Sequence, residues 1–200
     1  MEVKEIEIKE NEIKNLRKRT QKMINGLKVI KDFISQDEET ALIHHIDSEP
    51  WDTSMKRRIQ QYGHEYIIKK KKLSQEIHPL PAWSQSILEK LNGFFPKTPE
   101  QIIVNEYLPG QGISKHIDSP MFDEPIISLS LLSSCVMNFI RDKQKLPLLL
   151  ERRSLLIMTG ESRWSWYHEI PSRKYDVVEN IKVPRKRRVS LTFRVLKKNI

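Results

Sequence analysis

The chain changes its hydrophobic rhythm once, near residue 100. Before that point apolar residues recur at helical spacing. In "FISQDEETALIHHIDSEPW", Ser35 and Glu38 form a capping box, Ala41, Leu42, His45 and Ile46 share a face, and Pro50 stops the helix. A second helix is predicted over "PAWSQSILEKLNGFF": Pro81 opens it, Trp83, Ile87 and Leu91 repeat every four residues, and Asn92-Gly93 closes it. After residue 100 the apolar residues gather in short β-rich runs: "QIIVNEY", "PIISLSLL", "CVMNFI", "PLLLE", "SLLIM", "WSWYHEI" and "RRVSLTFRVL". Turn residues in "LPGQG", "RDKQK", "ERR" and "TGES" separate several of them. A spacing of about 8–12 residues between such runs predicts a β-sandwich or jelly roll.

The expected class is therefore α+β, mostly β, in one domain. Residues 1–24 carry Ile6, Ile8, Ile13 and Leu16 among Lys and Glu, and read as a frayed helix or mobile arm. Residues 25–200 form the domain, with helices and a charged middle over 25–99 and the β-core over 100–198.

Composition narrows the setting. Hydrophobic residues make up 38% and charged residues 30%, as expected for a soluble globular chain. The net charge of +9 favours an anionic partner, although a lysine-rich solvated surface would give the same number. A single cysteine, Cys135, excludes an intrachain disulfide and suits a reducing compartment; its apolar neighbours predict a buried structural thiol. The N-terminal "MEVKEIEIKE" is too charged for a signal peptide, and no apolar run approaches membrane-spanning length. The expectation is an intracellular, cytoplasmic protein (nuclear if eukaryotic), with no membrane partner and a monomer favoured.

The tripeptide H-I-D occurs twice, at His45–Asp47 and His116–Asp118. On a helix, residues two apart point about 200° from one another, so His45 and Asp47 cannot converge on an ion; His45 is expected partly packed and Asp47 solvated. The second copy follows "LPGQGIS" in an extended segment, where residues two apart point the same way. An isolated H-x-D is weak evidence and needs a third ligand. His168, on a late aromatic strand, is the candidate, against the plainer reading of a half-buried strand histidine. Two histidines and one carboxylate on one side of an ion leave positions open opposite, which favours non-haem Fe(II) with O2 and a co-substrate.

Strand alternation in "RVSLTFR" puts Arg188, Ser190, Thr192 and Arg194 on one face and Val189, Leu191 and Phe193 on the other. The bland reading is a surface strand with its polar side in water; the functional one is an anion cradle, in which the two arginines address different ends of a dicarboxylate and its metal site if the strand is coiled, or one binds and the other orients ligands. Asn105 and Tyr107 share a side of "QIIVNEY" and can add hydrogen bonds.

Taken in order, "NEYLPGQGISKHID", "ISLSL", "RRSLLIMTGESRWSWYHEI" and "RRVSLTFR" resemble the AlkB family of Fe(II)/2-oxoglutarate dioxygenases over roughly residues 100–196. "GLKVIKDFISQDEETAL", "PW" and "PLPAW" extend the likeness upstream. The resemblance implies a double-stranded β-helix (jelly roll) core with N-terminal helices and a nucleotide-recognition lid. It implies that His116, Asp118 and His168 are catalytic iron ligands, and that Asn105, Tyr107, Arg188, Ser190 and Arg194 hold 2-oxoglutarate. It also implies the reaction: 2-oxoglutarate and O2 give succinate and CO2 while a substrate C–H bond is oxidised.

Two residues depart from the family pattern. DNA-repair members carry H-x-D-x-D, and the second Asp is here Pro120; the usual "HGI" is "HEI", with Glu169. Both weaken a transfer of repair activity. "RRIQQYGHEY" and "LPGQGISKHIDS" look closer to the branch that acts on wobble uridines of tRNA. The charged middle, "MKRRIQQYGHEYIIKKKK", interleaves basic residues with aromatics, so Arg57, Arg58, Tyr62 and Tyr66 are expected to meet substrate as the lid, by phosphate contact and base stacking. The plainer reading of Lys69–Lys72 is a solvated hairpin. The expected function is oxidation of a modified or alkylated base in nucleic acid, with RNA (tRNA) favoured. The alternatives are DNA/RNA N-alkyl demethylation, or the same oxygenase on a protein or small molecule.

Overall fold

A computed structural model describes residues 17–67, 70–178 and 181–198. The arm and the lysine run fall partly outside these residues, at 1–16 and at Lys69; within them, 17–23 is helical. Strand β1 (Leu27–Ile30) is followed by helix α1 (Gln36–Ser48), whose Ser35–Glu38 capping box is formed on both sides. Leu42 and Ile46 are buried on α1, together with Glu39; Ala41 and His45 are exposed, so the buried stripe is narrower than the pattern suggested. Glu39 lies fully inside because its carboxylate accepts from the Leu132 amide at 2.6 Å and from Arg152 Nε at 2.5 Å.

Strands β2 (Ile59–Ile67) and β3 (Lys72–His78) make a hairpin from the charged middle. The second predicted helix is much shorter than its pattern: a 3-10 turn over Ala82–Ser84 leads into α2 (Gln85–Lys90), and the rest of the run is turns. The β-core follows as β4 (Gln101–Tyr107), β5 (Ile113–His116), β6 (Ile126–Leu131), β7 (Cys135–Arg141), β8 (Gln144–Leu150) and β9 (Leu155–Met158). Helix α3 (Gly160–Trp164) occupies part of "WSWYHEI", so that strand shrinks to β10 (Tyr167–Ile170). Strands β11 (Tyr175–Val178) and β12 (Ile181–Pro184) pair as a hairpin, and β13 (Arg188–Arg194) ends the core.

The strands form a major sheet ordered β1-β9-β6-β13-β4-β2-β3 and a minor sheet ordered β5-β10-β7-β8, all antiparallel. This mostly-β sandwich has the jelly-roll form. One core layer packs the helices on the major sheet, through Leu42, Ile46, Ile87, Val189, Leu191 and Phe193. The other fills the space between the sheets, through Tyr107, Met137, Phe139, Leu156 and Met158, with Cys135 buried there as expected. Burying these faces is what holds the sandwich together, at roughly 25 cal/mol per Å2 of apolar surface. Gly112 lets β5 run against β10, because a Cβ there would stand 2.1 Å from the Ile170 carbonyl oxygen.

Candidate metal centre

The inner layer opens at one end, between β5, β10 and β13. His116 is the last residue of β5, and Asp118 lies two residues beyond it, outside the strand. Distant pairing supplies the third group: β10 lies antiparallel to β5 with His168 directly opposite His116. One ligand atom each from His116, Asp118 and His168 can be chosen so that all lie within 4.8 Å of one another, the one such cluster among the described residues. Asp118 and His168 are buried.

Each ligand is held in a metal-ready form. His116 Nδ1 sits 2.7 Å from the Ser114 carbonyl, so it carries the proton and leaves the Nε2 lone pair free. Burial drives the His168 imidazole from its ordinary 6.5 to about 3, so it stays neutral. Burial alone would raise the Asp118 carboxyl; Arg194 first, then the two histidines, outweigh it and hold the group below the usual carboxylate range. The Arg194 guanidinium donates directly to Asp118 Oδ1.

These shifts predict acid sensitivity with a definite sign. A histidine whose folded value is depressed loses stability as pH falls, because only the unfolded chain takes the proton. The metal-free protein is expected to weaken as pH drops from 6.5 towards 3, and Asp118 adds to the loss only below its unfolded value near 3.8. Urea midpoints measured across this range should flatten in His168→Gln; an unchanged slope would refute the account.

Behind the triad, Asn105, Tyr107, Arg188, Ser190, Thr192 and Arg194 line one chamber with the three ligands. They come from neighbouring strands in register, with Arg188 opposite Tyr107 and Ser190 opposite Asn105. The alternation expected for β13 is what places them there. The two arginines do different work. Arg194 is bound to Asp118 and to Gln101 Oε1 at 2.9 Å. Arg188, 2% exposed, donates through Nη2 to Ser130 Oγ at 2.8 Å and lies over the Tyr107 ring at 5.4 Å. Its Nε and Nη1 are buried with no hydrogen-bond partner among the described residues. A buried cation with two undirected donors is costly unless an anion completes it.

The outer cavity, about 650 Å3, is walled by Arg57, Tyr66, Lys71, Lys115, His116 and the 117–122 segment that includes Pro120. Of the four expected substrate contacts, Arg57 and Tyr66 are here. Arg58 and Tyr62 line neither chamber, a correction with a clear cause. Arg58 leaves from the opposite side of the chain: it is clamped on Glu106 at 2.5 and 2.9 Å and lies over Trp51 at 4.4 Å. Tyr62 packs edge-on against Trp83 at 5.6 Å in the helix-side core, and burial raises its phenol to about 12. Tyr62 and Tyr66, four apart, would share a face of a regular strand. A register shift between His64 and Tyr66, filled by the Gln61 side chain on both backbone groups of Tyr66, sends them to opposite sides. Gly63 lets β2 run against the start of β4, since a Cβ would stand 2.0 Å from the Glu100 carbonyl oxygen.

The other sequence candidates resolve simply. His45 and Asp47 are exposed on α1, and Asp47 is paired with Arg187 rather than wholly solvated. Glu169 turns away from the triad to accept from Lys145 at 2.8 Å and Asn138 at 3.0 Å, so it does not crowd the site. Sequence reasoning overlooked Ser128 and Ser130, although alternation in "ISLSL" puts both on one face; Ser128 lines the inner chamber and Ser130 holds Arg188. It also overlooked Arg163.

Residues 26–194 match the family model described as "2OG-Fe(II) oxygenase superfamily". The chain belongs to that superfamily. Among its relatives are AlkB homologues. The oxygenase is 40% identical over 176 residues to the tRNA (carboxymethyluridine(34)-5-O)-methyltransferase ALKBH8 of Macaca fascicularis, covering 80% of this chain but 26% of that enzyme. It is 33% identical over 195 residues to the uncharacterized protein L905 of Acanthamoeba polyphaga mimivirus, covering 94% and 93% of the two chains. Among solved structures it superposes on OsALKBH1 with a TM-score of 0.66 at 17% identity, over 84% and 96% of the chains, a likeness of fold. As an AlkB-family 2OG-Fe(II) oxygenase, it uses Fe(II), 2-oxoglutarate and O2. The donor set fits: two neutral imidazoles and a carboxylate suit Fe(II), and the unpartnered Arg188 nitrogens suit a carboxylate. No helix among the described residues is long and apolar enough to cross a membrane.

Proposed function

We propose that this oxygenase oxidises a modified or alkylated base in RNA, with tRNA the favoured substrate. The observation that carries the reading is the composition of the outer cavity: Arg57, Lys71 and Lys115 surround an aromatic wall of Tyr66 and Phe122 directly above the triad. A nucleotide brings a flat ring for the aromatics and a phosphate for the cations. Pro120 supports RNA over damaged DNA, because it puts an apolar ring where the repair members of the family carry a carboxylate. The name of the ALKBH8 relative points the same way.

In this reading His116 Nε2, the Asp118 carboxylate and His168 hold Fe(II). Arg188 and Tyr107 take one carboxylate of 2-oxoglutarate. Asn105 and Ser190 line the path between, and Arg57 Nε donates to Asn105 Oδ1 at 3.0 Å. Arg194 keeps Asp118 ionised and aimed. The bound iron and 2-oxoglutarate supply the oxidising power for a C–H bond. The protein orients that bond and excludes bulk water, and the apolar Met137, Leu156 and Met158 keep the inner chamber dry.

The test is direct. The protein is incubated with Fe(II), ascorbate, 2-oxoglutarate and either total tRNA or a panel of methylated oligonucleotides; succinate, formaldehyde and nucleoside masses are followed. Stable hydroxylation of a tRNA nucleoside without formaldehyde is the expected result. Turnover driven only by proteins or small molecules would overturn the reading. Tyr66→Ala should weaken tRNA binding roughly tenfold or more, the scale of one lost base stack, and affinity should fall steeply with salt. Salt-insensitive binding would count against a nucleic-acid substrate.

A further inference from the structure

Asp118 is held at both ends. Its carboxylate belongs to Arg194; its backbone belongs to a second arginine, which no sequence feature had marked. Arg163, in α3, is 2% exposed, yet it is a full cation. Nη1 donates to the Asp118 carbonyl at 3.1 Å, and Nη2 donates to the carbonyls of Ser119 at 2.8 Å and Phe122 at 2.7 Å. The Trp164 ring covers the guanidinium at 4.0 Å.

We propose that Arg163 is a positioning residue for the metal centre: it fixes the turn over 118–122 so that the Asp118 carboxylate enters the site at the distance the two histidines require. The inference rests on the triad being the iron site. The backbone ties this turn at its far end, where Phe122 bridges Leu196 and the Lys197 amide donates to the Met121 carbonyl at 2.9 Å, but among the described residues no such bridge holds the Asp118 end. Asp118 falls beyond the end of β5, and among the described residues the 117–121 stretch has no strand assignment. Its carbonyls converge on one point, and only a planar fork of fixed donors can satisfy three of them at once; an ammonium is a single charged point. The anchor itself is rigid. Helix α3 is pinned to the start of β1 by Ser162 N to Asn25 O at 3.0 Å, Thr159 N to Gly26 O at 3.0 Å and Thr159 Oγ1 to Gly26 O at 3.1 Å. Gly26 is required for that approach, since a Cβ there would stand 2.0 Å from the Thr159 carbonyl oxygen. The sequence of contacts therefore runs from β1 through α3 and Arg163 to the metal ligand.

The same turn builds the wall facing the substrate. Ser119, Pro120, Met121 and Phe122 line the outer cavity, and Phe122 meets the Tyr66 ring edge-on at 5.8 Å and the Arg194 guanidinium at 4.9 Å. Arg163 and Arg194 thus grip one short segment from opposite sides, one by backbone and one by carboxylate.

Metal affinity, read without turnover, tests this. The full-length protein is titrated with Co(II) and the visible absorption of the bound ion is followed, for wild type, Arg163→Lys, Arg163→Gln and Glu39→Ala. Glu39 is the control: a buried ionic anchor on α1, bound to Leu132 and Arg152, whose loss destabilises the fold without touching the turn. Arg163→Gln is expected to bind Co(II) about 10- to 100-fold more weakly, the usual cost of losing a group that orients a metal ligand. Arg163→Lys, which keeps the charge and the fold, should fall between it and wild type, and Glu39→Ala should bind as wild type does at a comparable loss of melting temperature. Wild-type affinity in Arg163→Lys, or an equal loss in Glu39→Ala, overturns the proposal. A wild-type protein that binds no Co(II), or binds it equally well as His116→Ala, overturns the iron-site reading itself.

Discussion

Asp118→Ala and His116→Ala are each expected to abolish substrate-coupled 2-oxoglutarate turnover, by at least about a thousandfold, on the order of 4 kcal/mol of transition-state stabilisation. Succinate formed per minute is the measurement, with bound iron counted on the same samples. The mechanism of loss differs between the two. His116 is only partly buried, and its removal deletes a ligand. Asp118 is buried and carries the Arg194 ion pair, so alanine also strands a cation beside His168. Asp118→Asn separates these effects: it keeps the size and an oxygen that can accept from Arg194 but removes the anionic ligand. Turnover should be lost in Asn as in Ala, while only Ala should unfold markedly earlier in urea. His45→Ala, from the other H-I-D, should leave turnover intact, since that ring is exposed on α1 far along the chain from the chamber. Full activity in either Asp118 variant would end the site assignment.

Arg188→Leu is expected to raise the KM for 2-oxoglutarate roughly a hundredfold or more, the cost of removing one partner from a desolvated charge pair, with kcat at saturating co-substrate changed far less. It has an unusual companion effect. Among the described residues the Arg188 Nε and Nη1 are buried with no partner, a standing cost to the fold. Leucine removes that buried charge with its two undirected donors, at the loss of the single bond to Ser130, so the variant without 2-oxoglutarate should be as stable as wild type or more so. Wild type, in turn, should gain melting temperature on adding 2-oxoglutarate, and Arg188→Leu should gain little. A KM within threefold of wild type, or an equal thermal shift in both proteins, would show that the cradle lies elsewhere.

Much of the chamber was legible because it lies on regular strands. Alternation is local: once β13 is a strand, Arg188, Ser190, Thr192 and Arg194 must share a face, and Val189, Leu191 and Phe193 must enter the core, as they do. The same reasoning dismissed His45–Asp47, because helical geometry is local too. It failed where the backbone departs from its period. A regular strand would put Tyr62 and Tyr66 on one surface, and the irregularity at His64–Tyr66 divides them. Arg58 was grouped with Arg57, although adjacent residues at the entry to β2 face opposite ways, one to Asn105 and one to Glu106. The aromatics from Trp164 to Trp166 suggest strand, and the stretch is instead the end of α3 and a turn.

The sequence by itself determined most of the core strands, the two faces of β13, the exclusion of one H-I-D and the candidacy of the other, because each depends on residues within a few positions of one another. Only the tertiary structure decided that His168 stands opposite His116, that Arg194 serves Asp118 while Arg188 stays free for an anion, and that Arg163 carries the turn between ligand and cavity wall. Those pairings join residues separated by tens of positions. They are set by which strands lie side by side and by which buried charges find partners, and no local period encodes either.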